Sequence, residues 1–254
     1  MLLAVDAGNT NTVLGLFQDR RLKRTWRIPS EAGAVKALTK KLSGVIDSVI
    51  VSSVVPSLKR SFESLSAQVC GKPPVFVSDR LRMPIRVRLP HPKQLGQDRI
   101  VNAAAAHAIY HGGSWRSRHL LVVDFGTATT IDVITPKGDY IGGTISPGIG
   151  IANAALHEKT ALLPLVPIKK PGRAIGDTTL AAIQSGVFYG YAGLIDGLVH
   201  RIAKELRSRP RVVATGGLST VVGPSCHTID VIDPDLTLKG LQKLHEWNRP
   251  TPTV

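Results

Sequence analysis

The chain has 254 residues, which suits one large domain or two modest ones, and 43% hydrophobic with 20% charged residues is a globular composition. Its 32 basic residues outnumber the 18 acidic ones, so the net charge of +14 would attract anions. The basic residues are scattered, however, no nucleic-acid-binding motif accompanies them, and no apolar run approaches the ~20 residues that span a bilayer. We therefore expect no specific nucleic-acid partner and no membrane span.

In the first half of the chain, apolar segments of strand length alternate with segments of helical periodicity. Strands are predicted over 2–6, 12–17, 22–27, 48–53 and 75–78, and helices over 31–42, 57–69 and 98–111. The last of these helices is rich in alanine and ends at a glycine pair, which is a typical helix stop.

The second half shows the same alternation of strands and helices. Strands are predicted over 119–124, 129–134, 139–145, 211–215 and 227–232, with a short helix after Pro147 and longer ones over 178–207 and 236–247. Such alternation favours an α/β fold in which helices cover a sheet.

Two segments repeat within the chain at a constant spacing. LLAVDAGNTNT (2–12) matches LLVVDFGTATT (120–130) at an offset of 118, and VIVSSVVPSL (49–58) more weakly matches VVATGGLSTV (212–221). Two matches in the same order predict a duplication. We expect one domain over 1–115, a similar one over 116–247 and a disordered tail over 248–254.

The predicted helix over 178–207 carries glycines at spacings that place them on one face. These are Gly186, Gly190, Gly193 and Gly197. Each glycine costs a helix about 0.5–1 kcal/mol relative to alanine, so close packing of another backbone would have to offset several kcal/mol. The crossing helix can belong to the same chain or to a second subunit.

Each copy of the repeat places an aspartate at the end of a strand, followed by glycine and a polar turn. Successive N–H groups in such a turn bind phosphate oxygens, and the aspartate can hold a cation that neutralises them. Asp-x-Gly-Asn is also an ordinary hairpin turn. Two such turns at equivalent strand ends, after Asp6 and after Asp124, instead predict a site that holds a polyphosphate.

Asp98 and Arg99 lie at or near the start of the helix predicted over 98–111. A carboxylate there can simply cap the helix. Beside an arginine that binds carboxylates, it can also be a base that accepts a hydroxyl proton. This pair suits the phosphorylation of a hydroxyl group on a small acid.

Taken together, several motifs in order resemble those of the type III pantothenate kinases, a family of the actin-like superfamily. They are DAGNTNTVLGLF, LGQDRIVNAAAA, VVDFGTATTIDVI, GGTISPGI, QSGVFYGYAGLIDGL, ATGGL and LTLKGL. The resemblance implies two duplicated ribonuclease-H-like domains with an interdomain nucleotide cleft, and a homodimer. It implies ATP-dependent phosphorylation of pantothenate to 4′-phosphopantothenate, the first committed step towards coenzyme A, with Mg²⁺ and a monovalent cation, K⁺ or NH₄⁺.

The resemblance also assigns roles to individual residues. The phosphate-binding stretch falls on Asp6, Ala7, Gly8, Asn9, Thr10, Asn11, Thr12 and Val13. The substrate-contacting stretch falls on Gly96, Gln97, Asp98 and Arg99, with Asp98 as the proton acceptor. Asp124 would hold the monovalent cation, Thr127 would contact the nucleotide, and Thr179 would contact pantothenate. Leu89 stands where the family usually has a substrate-contacting tyrosine, and Asp177 where it often has lysine.

Two other functions fit parts of the sequence. A regulator without kinase activity, like an accessory transcription factor, would use the nucleotide site and the basic charge, but it would not need Asp98. A kinase for a related small hydroxy acid would fit the replacement of the family's tyrosine by Leu89.

Cys70 and Cys226 match no disulfide framework or metal spacing, and the N-terminus lacks a basic segment typical of a signal peptide. We therefore expect a cytoplasmic protein with reduced thiols.

Overall fold

A computed structural model describes residues 1–42, 46–78 and 80–249. The chain divides into two compact units. Unit 1 consists of Met1–Arg86, Pro90–Ala108 and Leu236–Val254, and unit 2 of Val87–Leu89 and Ile109–Asp235.

The sheet of unit 1 has the strand order β3-β2-β1-β4-β5. Its strands are β1 (Leu2–Ala7), β2 (Asn11–Gln18), β3 (Arg21–Pro29), β4 (Ser48–Ser53) and β5 (Val75–Phe76). β2 is antiparallel to β1 and β3, whereas β4 is parallel to β1 and β5 is parallel to β4.

The second sheet has the strand order β11-β10-β7-β8-β9-β6. Its strands are β6 (Arg86–Val87), β7 (Leu120–Phe125), β8 (Ala128–Ile134), β9 (Asp139–Pro147), β10 (Arg211–Thr215) and β11 (Val231–Ile232). β8 is antiparallel to β7 and β9, whereas β10 is parallel to β7 and β11 is parallel to β10.

The two sheets share one topology, which confirms the predicted duplication. Apart from β6, the second sheet repeats the order and the strand directions of the first. In both β1 and β7 the fifth residue, Asp6 or Asp124, is half-buried and all the others are buried. The turn after β7 is one residue shorter than the turn after β1, so Asp124 lies opposite Thr130 whereas Asp6 lies opposite Val13.

Helices cover both sheets. They are α1 (Ala32–Thr39), α2 (Lys59–Cys70), α3 (Gln97–Tyr110), α4 (Ile149–Glu158), α5 (Thr179–Glu205), α6 (Ser219–Val222) and α7 (Leu236–Trp247). Because side chains alternate along a strand, β1 contributes Leu3 and Val5 to a core with α1 and α2 on one face. On the other face, Leu2 and Ala4 pack against Val101 of α3 and the leucines of α7. In unit 2, α5 packs on the face of β7 that carries Leu121, Val123 and Phe125.

Most of the helices and longer strands match their predicted positions to within a few residues, but the contacts divide the chain differently from the expected boundaries of 1–115 and 116–247. α7 packs on β1 and β4, so it joins unit 1 although it follows unit 2 in sequence. The strand predicted over 227–232 is shorter, because the N–H groups of His227 and Thr228 donate to the Asp196 carboxylate of α5. β6 was not predicted.

The chain ends are partly described. Asn248, in the tail predicted to be disordered, exchanges hydrogen bonds with the backbone of Arg82, and the last five residues of that tail lie outside the described ranges. Among the helices described, none combines the length and the apolar character that a membrane crossing requires.

Candidate active site

The first Asp-x-Gly turn joins β1 to β2 in unit 1. By strand alternation, Asp6 lies on the face of β1 that carries Leu2 and Ala4 and packs against α3 and α7. It is aligned with Val13 of β2 on one side and Ser52 of β4 on the other. The Gly8 N–H donates to the carbonyl of Asn11 at 3.1 Å and closes the turn.

Ser30, directly after β3, contacts this turn. Its N–H donates to the Thr10 carbonyl at 3.1 Å, and its hydroxyl donates to the Gly8 carbonyl at 2.5 Å. The Thr12 and Ser30 hydroxyls are 3.0 Å apart. Ser30 was not predicted from the sequence, although Pro29-Ser30 lies at the same offset of 118 from Pro147-Gly148 as the two aspartates do from each other.

The segment Gly96–Arg99 lies at the same end of the sheet in unit 1. Val54, directly after β4, donates its N–H to the Ala7 carbonyl at 3.0 Å, and its side chain lies about 4.0 Å from where a Cβ on Gly96 would stand. α3 begins at Gln97, so Asp98 is in its first turn, and Asp98 Oδ1 accepts the Arg99 N–H at 2.9 Å. The structure therefore brings together the Asp6 turn and the Asp98 segment, both of which were predicted as site residues.

The second Asp-x-Gly turn joins β7 to β8 in unit 2. Gly216, directly after β10, has φ +91°, and a Cβ there would lie 2.3 Å from Asp124 Oδ1. The Gly148 N–H, at the start of α4, donates to the Thr127 carbonyl at 3.0 Å. Unit 2 thus holds Asp124 and Thr127 in one turn, with Gly216 against the carboxylate. Gly216 belongs to the ATGGL motif, but no role was predicted for it.

Two threonines flank Asp124 on its own face of the sheet. The register pairs Asp124 with Thr130 of β8 and with Thr215 of β10, and directly paired residues point their side chains to the same face. Thr130 and Thr215 are buried, and within the described ranges neither hydroxyl oxygen has a hydrogen-bond partner. Ser52 stands in the equivalent position beside Asp6 and is buried in the same way.

Thr179 is the first residue of α5 and is exposed. Thr178 caps the helix by accepting the Ala181 N–H at 3.1 Å. The segment before it has no regular structure but is tethered to the helices: Asn153, Gln184 and Tyr189 donate side-chain hydrogen bonds to the carbonyls of Val166, Pro167 and Pro171. The side chains of α4 and α5 thus hold the segment that precedes α5.

A groove of about 720 Å³ lies between α4 and α5, and Thr179, Leu156, Ile183, Gly186 and Gly190 are among the residues that line it. Gly193 and Gly197 continue the glycine face along α5. A Cβ built on any of the four glycines would meet no atom of the described structure within 4 Å apart from the backbone of its own helix. A tight crossing within the chain is therefore not the reason for these glycines.

Solved structures with a similar fold include an ethanolamine utilization protein, EutJ, from Carboxydothermus hydrogenoformans. It is 17% identical, with a TM-score of 0.57, covering 94% of this chain and 88% of that one. A ROK family glucokinase from Streptomyces griseus, solved with glucose and AMPPNP, is 13% identical with a TM-score of 0.52, covering 96% and 98%. At such identities the likeness concerns the fold, which is the duplicated, actin-like one.

Curated relatives match from end to end. A type III pantothenate kinase from Geotalea uraniireducens is 41% identical, covering 99% of this chain and all of the relative, and one from Syntrophotalea carbinolica is 43% identical, covering 98% and 100%. The family model described as type III pantothenate kinase matches residues 2–201. The chain therefore belongs to the type III pantothenate kinase family.

Proposed function

We propose that this kinase transfers the γ-phosphoryl group of ATP to the hydroxyl group of pantothenate, with Asp98 accepting the hydroxyl proton. The observation that carries the proposal is the position of Asp98 in the first turn of α3, beside the Asp6 turn of the same unit. Oδ1 of the Asp98 carboxylate accepts the Arg99 N–H at 2.9 Å, and Oδ2 is the second oxygen of that carboxylate. That second oxygen is the proton acceptor in this mechanism.

The turn from Asp6 to Val13 would bind the phosphates of ATP. Its carbonyls at Gly8 and Thr10 accept hydrogen bonds from Ser30, which directs the N–H groups of Asn9 and Asn11 away from Ser30 as donors for anionic oxygens. Asp6 would hold the Mg²⁺ that accompanies ATP; when bound, this ion neutralises the phosphate charge. In unit 2, Thr127 lies in the second Asp-x-Gly turn and would contact the nucleotide from there.

Asp124 would hold the monovalent cation. The flanking hydroxyls of Thr130 and Thr215 give the site three oxygen-bearing side chains on adjacent strands, and hard cations such as K⁺ prefer oxygen ligands. Buried hydroxyls without partners are uncommon in folded proteins, and a bound cation would satisfy both. The residues present therefore fit a monovalent cation.

Pantothenate would contact Gly96–Arg99 and Thr179. The Arg99 guanidinium has the geometry to bind a carboxylate, which pantothenate carries at the end remote from its reactive hydroxyl. Leu89 lies near Gly142 of β9 and offers no hydroxyl, so the substrate contact that a tyrosine makes in the family is absent here. Asp177 forms an ion pair with Arg173.

The experiment that tests the function is ATP turnover by the purified protein. Pantothenate and a panel of small hydroxy acids are compared, each with and without K⁺. Selective turnover of pantothenate supports the proposal, selective turnover of another acid indicates the related kinase, and ATP binding without any turnover indicates the regulator.

The cytoplasm is the compartment we propose, because Cys70 and Cys226 are both free thiols.

We further propose that the active protein is a homodimer whose contact includes the glycine face of α5. The four glycines are exposed, and so are Leu156, which lines the groove, and Leu162 and Leu180, which are sequence neighbours of residues that line it. The helix is 27 residues long, and a second copy of it is a partner of matching length. Close contact between the two backbones would offset the low helix propensity of glycine through dispersion attraction.

Replacing Gly190 by leucine is expected to raise the dimer dissociation constant about 5- to 150-fold, because overpacking costs about 1–3 kcal/mol. Since a Cβ at Gly190 meets no atom within 4 Å apart from its own helix backbone, the fold should remain intact. Sedimentation over the micromolar range measures the dissociation constant, and the melting temperature reports the fold.

The matched control is Gly33→Leu in α1, where a Cβ also meets no atom within 4 Å. Both variants replace a helical glycine by leucine, so they share any gain in helix propensity. If the parent protein is monomeric and fully active at micromolar concentration, the proposed dimer is wrong. If Gly190→Leu and Gly33→Leu have the same dimer dissociation constant, the subunit contact lies on another surface.

A further inference from the structure

The residues that directly follow β3 in unit 1 and the equivalent strand β9 in unit 2 each contact the Asp-x-Gly turn of their own sheet. Ser30 follows β3 in unit 1, and Gly148 follows β9 in unit 2. They are 118 positions apart, as are Asp6 and Asp124, and each comes directly after a proline. The duplication therefore includes this contact as well as the two aspartates.

The contact has an equivalent backbone component in both units. The Ser30 N–H donates to the Thr10 carbonyl at 3.1 Å, and the Gly148 N–H donates to the Thr127 carbonyl at 3.0 Å. Each bond ties the end of β3 or β9 to the turn between the two strands that precede it in the chain. In unit 2, Tyr191 of α5 also donates to the carbonyl of Pro147, next to Gly148.

In unit 1 the side chain of Ser30 adds two more hydrogen bonds. Its single hydroxyl hydrogen is directed to the Gly8 carbonyl at 2.5 Å. The bond of 3.0 Å between Ser30 and Thr12 must therefore be donated by the Thr12 hydroxyl. Thr12 is fully buried, so this chain of two hydroxyls is anchored in the interior.

Unit 2 has no room for such a side chain. A Cβ on Gly148 would lie 2.1 Å from the Thr127 carbonyl oxygen and 2.6 Å from that of Gly126. The two turns thus share the backbone contact but differ in its side chain: the turn in unit 1 is held by hydroxyls, and the turn in unit 2 by direct approach of the backbone.

These bonds set the direction of two peptide planes in the first turn. In a planar trans peptide the C=O and the N–H point in opposite directions. Because the Gly8 and Thr10 carbonyls point to Ser30, the N–H groups of Asn9 and Asn11 point away from it. Ser30 therefore determines which way two N–H donors of the predicted phosphate-binding stretch are aimed.

We propose that Ser30 is a positioning residue for nucleotide binding, acting through the orientation of the Gly8–Thr12 turn. The inference rests on the proposed function, because it takes this turn to be the one that binds the phosphates. Loss of the hydroxyl would leave the backbone bond to Thr10 in place but release the Gly8 carbonyl, so the Asn9 N–H would lose its fixed direction.

The test is calorimetric binding of ATP with Mg²⁺ to the full chain, combined with steady-state kinetics. Ser30→Ala is expected to raise the dissociation constant and the KM for ATP about tenfold, which corresponds to two modest hydrogen bonds. The KM for pantothenate should stay within about twofold of the parent, since the Gly96–Arg99 segment is untouched. Ser30→Thr keeps a hydroxyl and should bind ATP within about threefold of the parent.

A second variant probes the same chain of hydroxyls. Thr12→Val removes the hydroxyl that donates to Ser30, with little change of shape. Because the two hydroxyls act in one chain, the double variant with both Ser30→Ala and Thr12→Val should bind ATP no more weakly than Ser30→Ala alone. Thr25→Ala is the control, because it removes an exposed hydroxyl from the same strand, β3, away from the turn. Should Ser30→Ala fail to fold, the ATP affinities of Thr12→Val and Ser30→Thr are compared instead. That comparison then decides whether the hydroxyls position the turn.

Asp6→Asn separates this inference from the function on which it rests. If Asp6→Asn weakens ATP binding but Ser30→Ala and Thr12→Val do not, Ser30 has no positioning role and the inference is overturned. If Asp6→Asn also leaves ATP binding unchanged, the turn is not the phosphate site and the proposed function itself is wrong in this part. If Ser30→Ala lowers the melting temperature but not the affinity for ATP, the contact is only structural.

Discussion

Replacing Asp98 by asparagine is expected to lower kcat at least about 100-fold while leaving ATP binding unchanged. Removal of a general base typically costs a factor of this size, because the hydroxyl proton is then left without an acceptor in the transition state. Asparagine keeps an oxygen that can accept the Arg99 N–H, so this hydrogen bond in the first turn of α3 should remain. Single-turnover kinetics measure the chemical step, and calorimetry measures ATP binding.

The control is Glu31→Gln at the N-cap of α1, where the side chain makes no capping hydrogen bond. It changes an acidic residue at a helix start in the same way, and its kcat should stay within about twofold of the parent. If Asp98→Asn turns over within about threefold of the parent, Asp98 serves only as a residue of the helix start, and the base must be another group.

Replacing Asp124 by asparagine is expected to raise the K⁺ concentration for half-maximal activity at least about tenfold. Changes to groups that merely support metal ligands cost about 10–100-fold in affinity, so loss of a direct carboxylate ligand should cost no less. Thr215→Val removes a neutral oxygen beside Asp124 and should have a smaller effect of about fivefold, which corresponds to about 1 kcal/mol. Activity titrations with K⁺ measure both.

Thr144→Val is the matched control for the hydroxyl. Thr144 also has a buried oxygen without a partner among the described residues, but it is aligned with Ile131 and so faces the opposite side of the sheet from Asp124. If Thr144→Val and Thr215→Val change the K⁺ requirement equally, the Thr215 oxygen has no special relation to the cation. If the activity of Asp124→Asn depends on K⁺ in the same way as that of the parent, Asp124 is not a ligand of the cation.

The duplication could be predicted from the sequence because it depends on local patterns. An apolar strand that ends in Asp-x-Gly is visible within about ten residues, and its recurrence at an offset of 118 requires no knowledge of distant contacts. The placement of Asp98 at a helix start was predicted for the same reason, since an acidic residue before an alanine-rich segment indicates a helix N-terminus.

Contacts between distant residues could not be predicted in this way. Ser30 reaches Gly8 across 22 positions, and Thr215 lies beside Asp124 only because β10 pairs with β7. α7 joins unit 1 because its leucines fit the face of β1 that Leu2 and Ala4 present, and nothing local to α7 indicates which sheet it covers. The glycine face of α5 was recognised, but whether it met another part of the chain depended on the packing around it.

The assignment of α7 to unit 1 has a consequence for the order in which the protein folds as it is synthesised. Domains usually fold in the order in which they leave the ribosome. Here the strands of the N-terminal sheet are made first, but one of its apolar faces stays uncovered by α7 until Leu236–Trp247 has been made. Unit 2 ends at Asp235, so it can complete its core earlier. The nascent chain would therefore finish its C-terminal unit first, and the uncovered face of the N-terminal sheet would be the surface exposed to chaperones in the meantime.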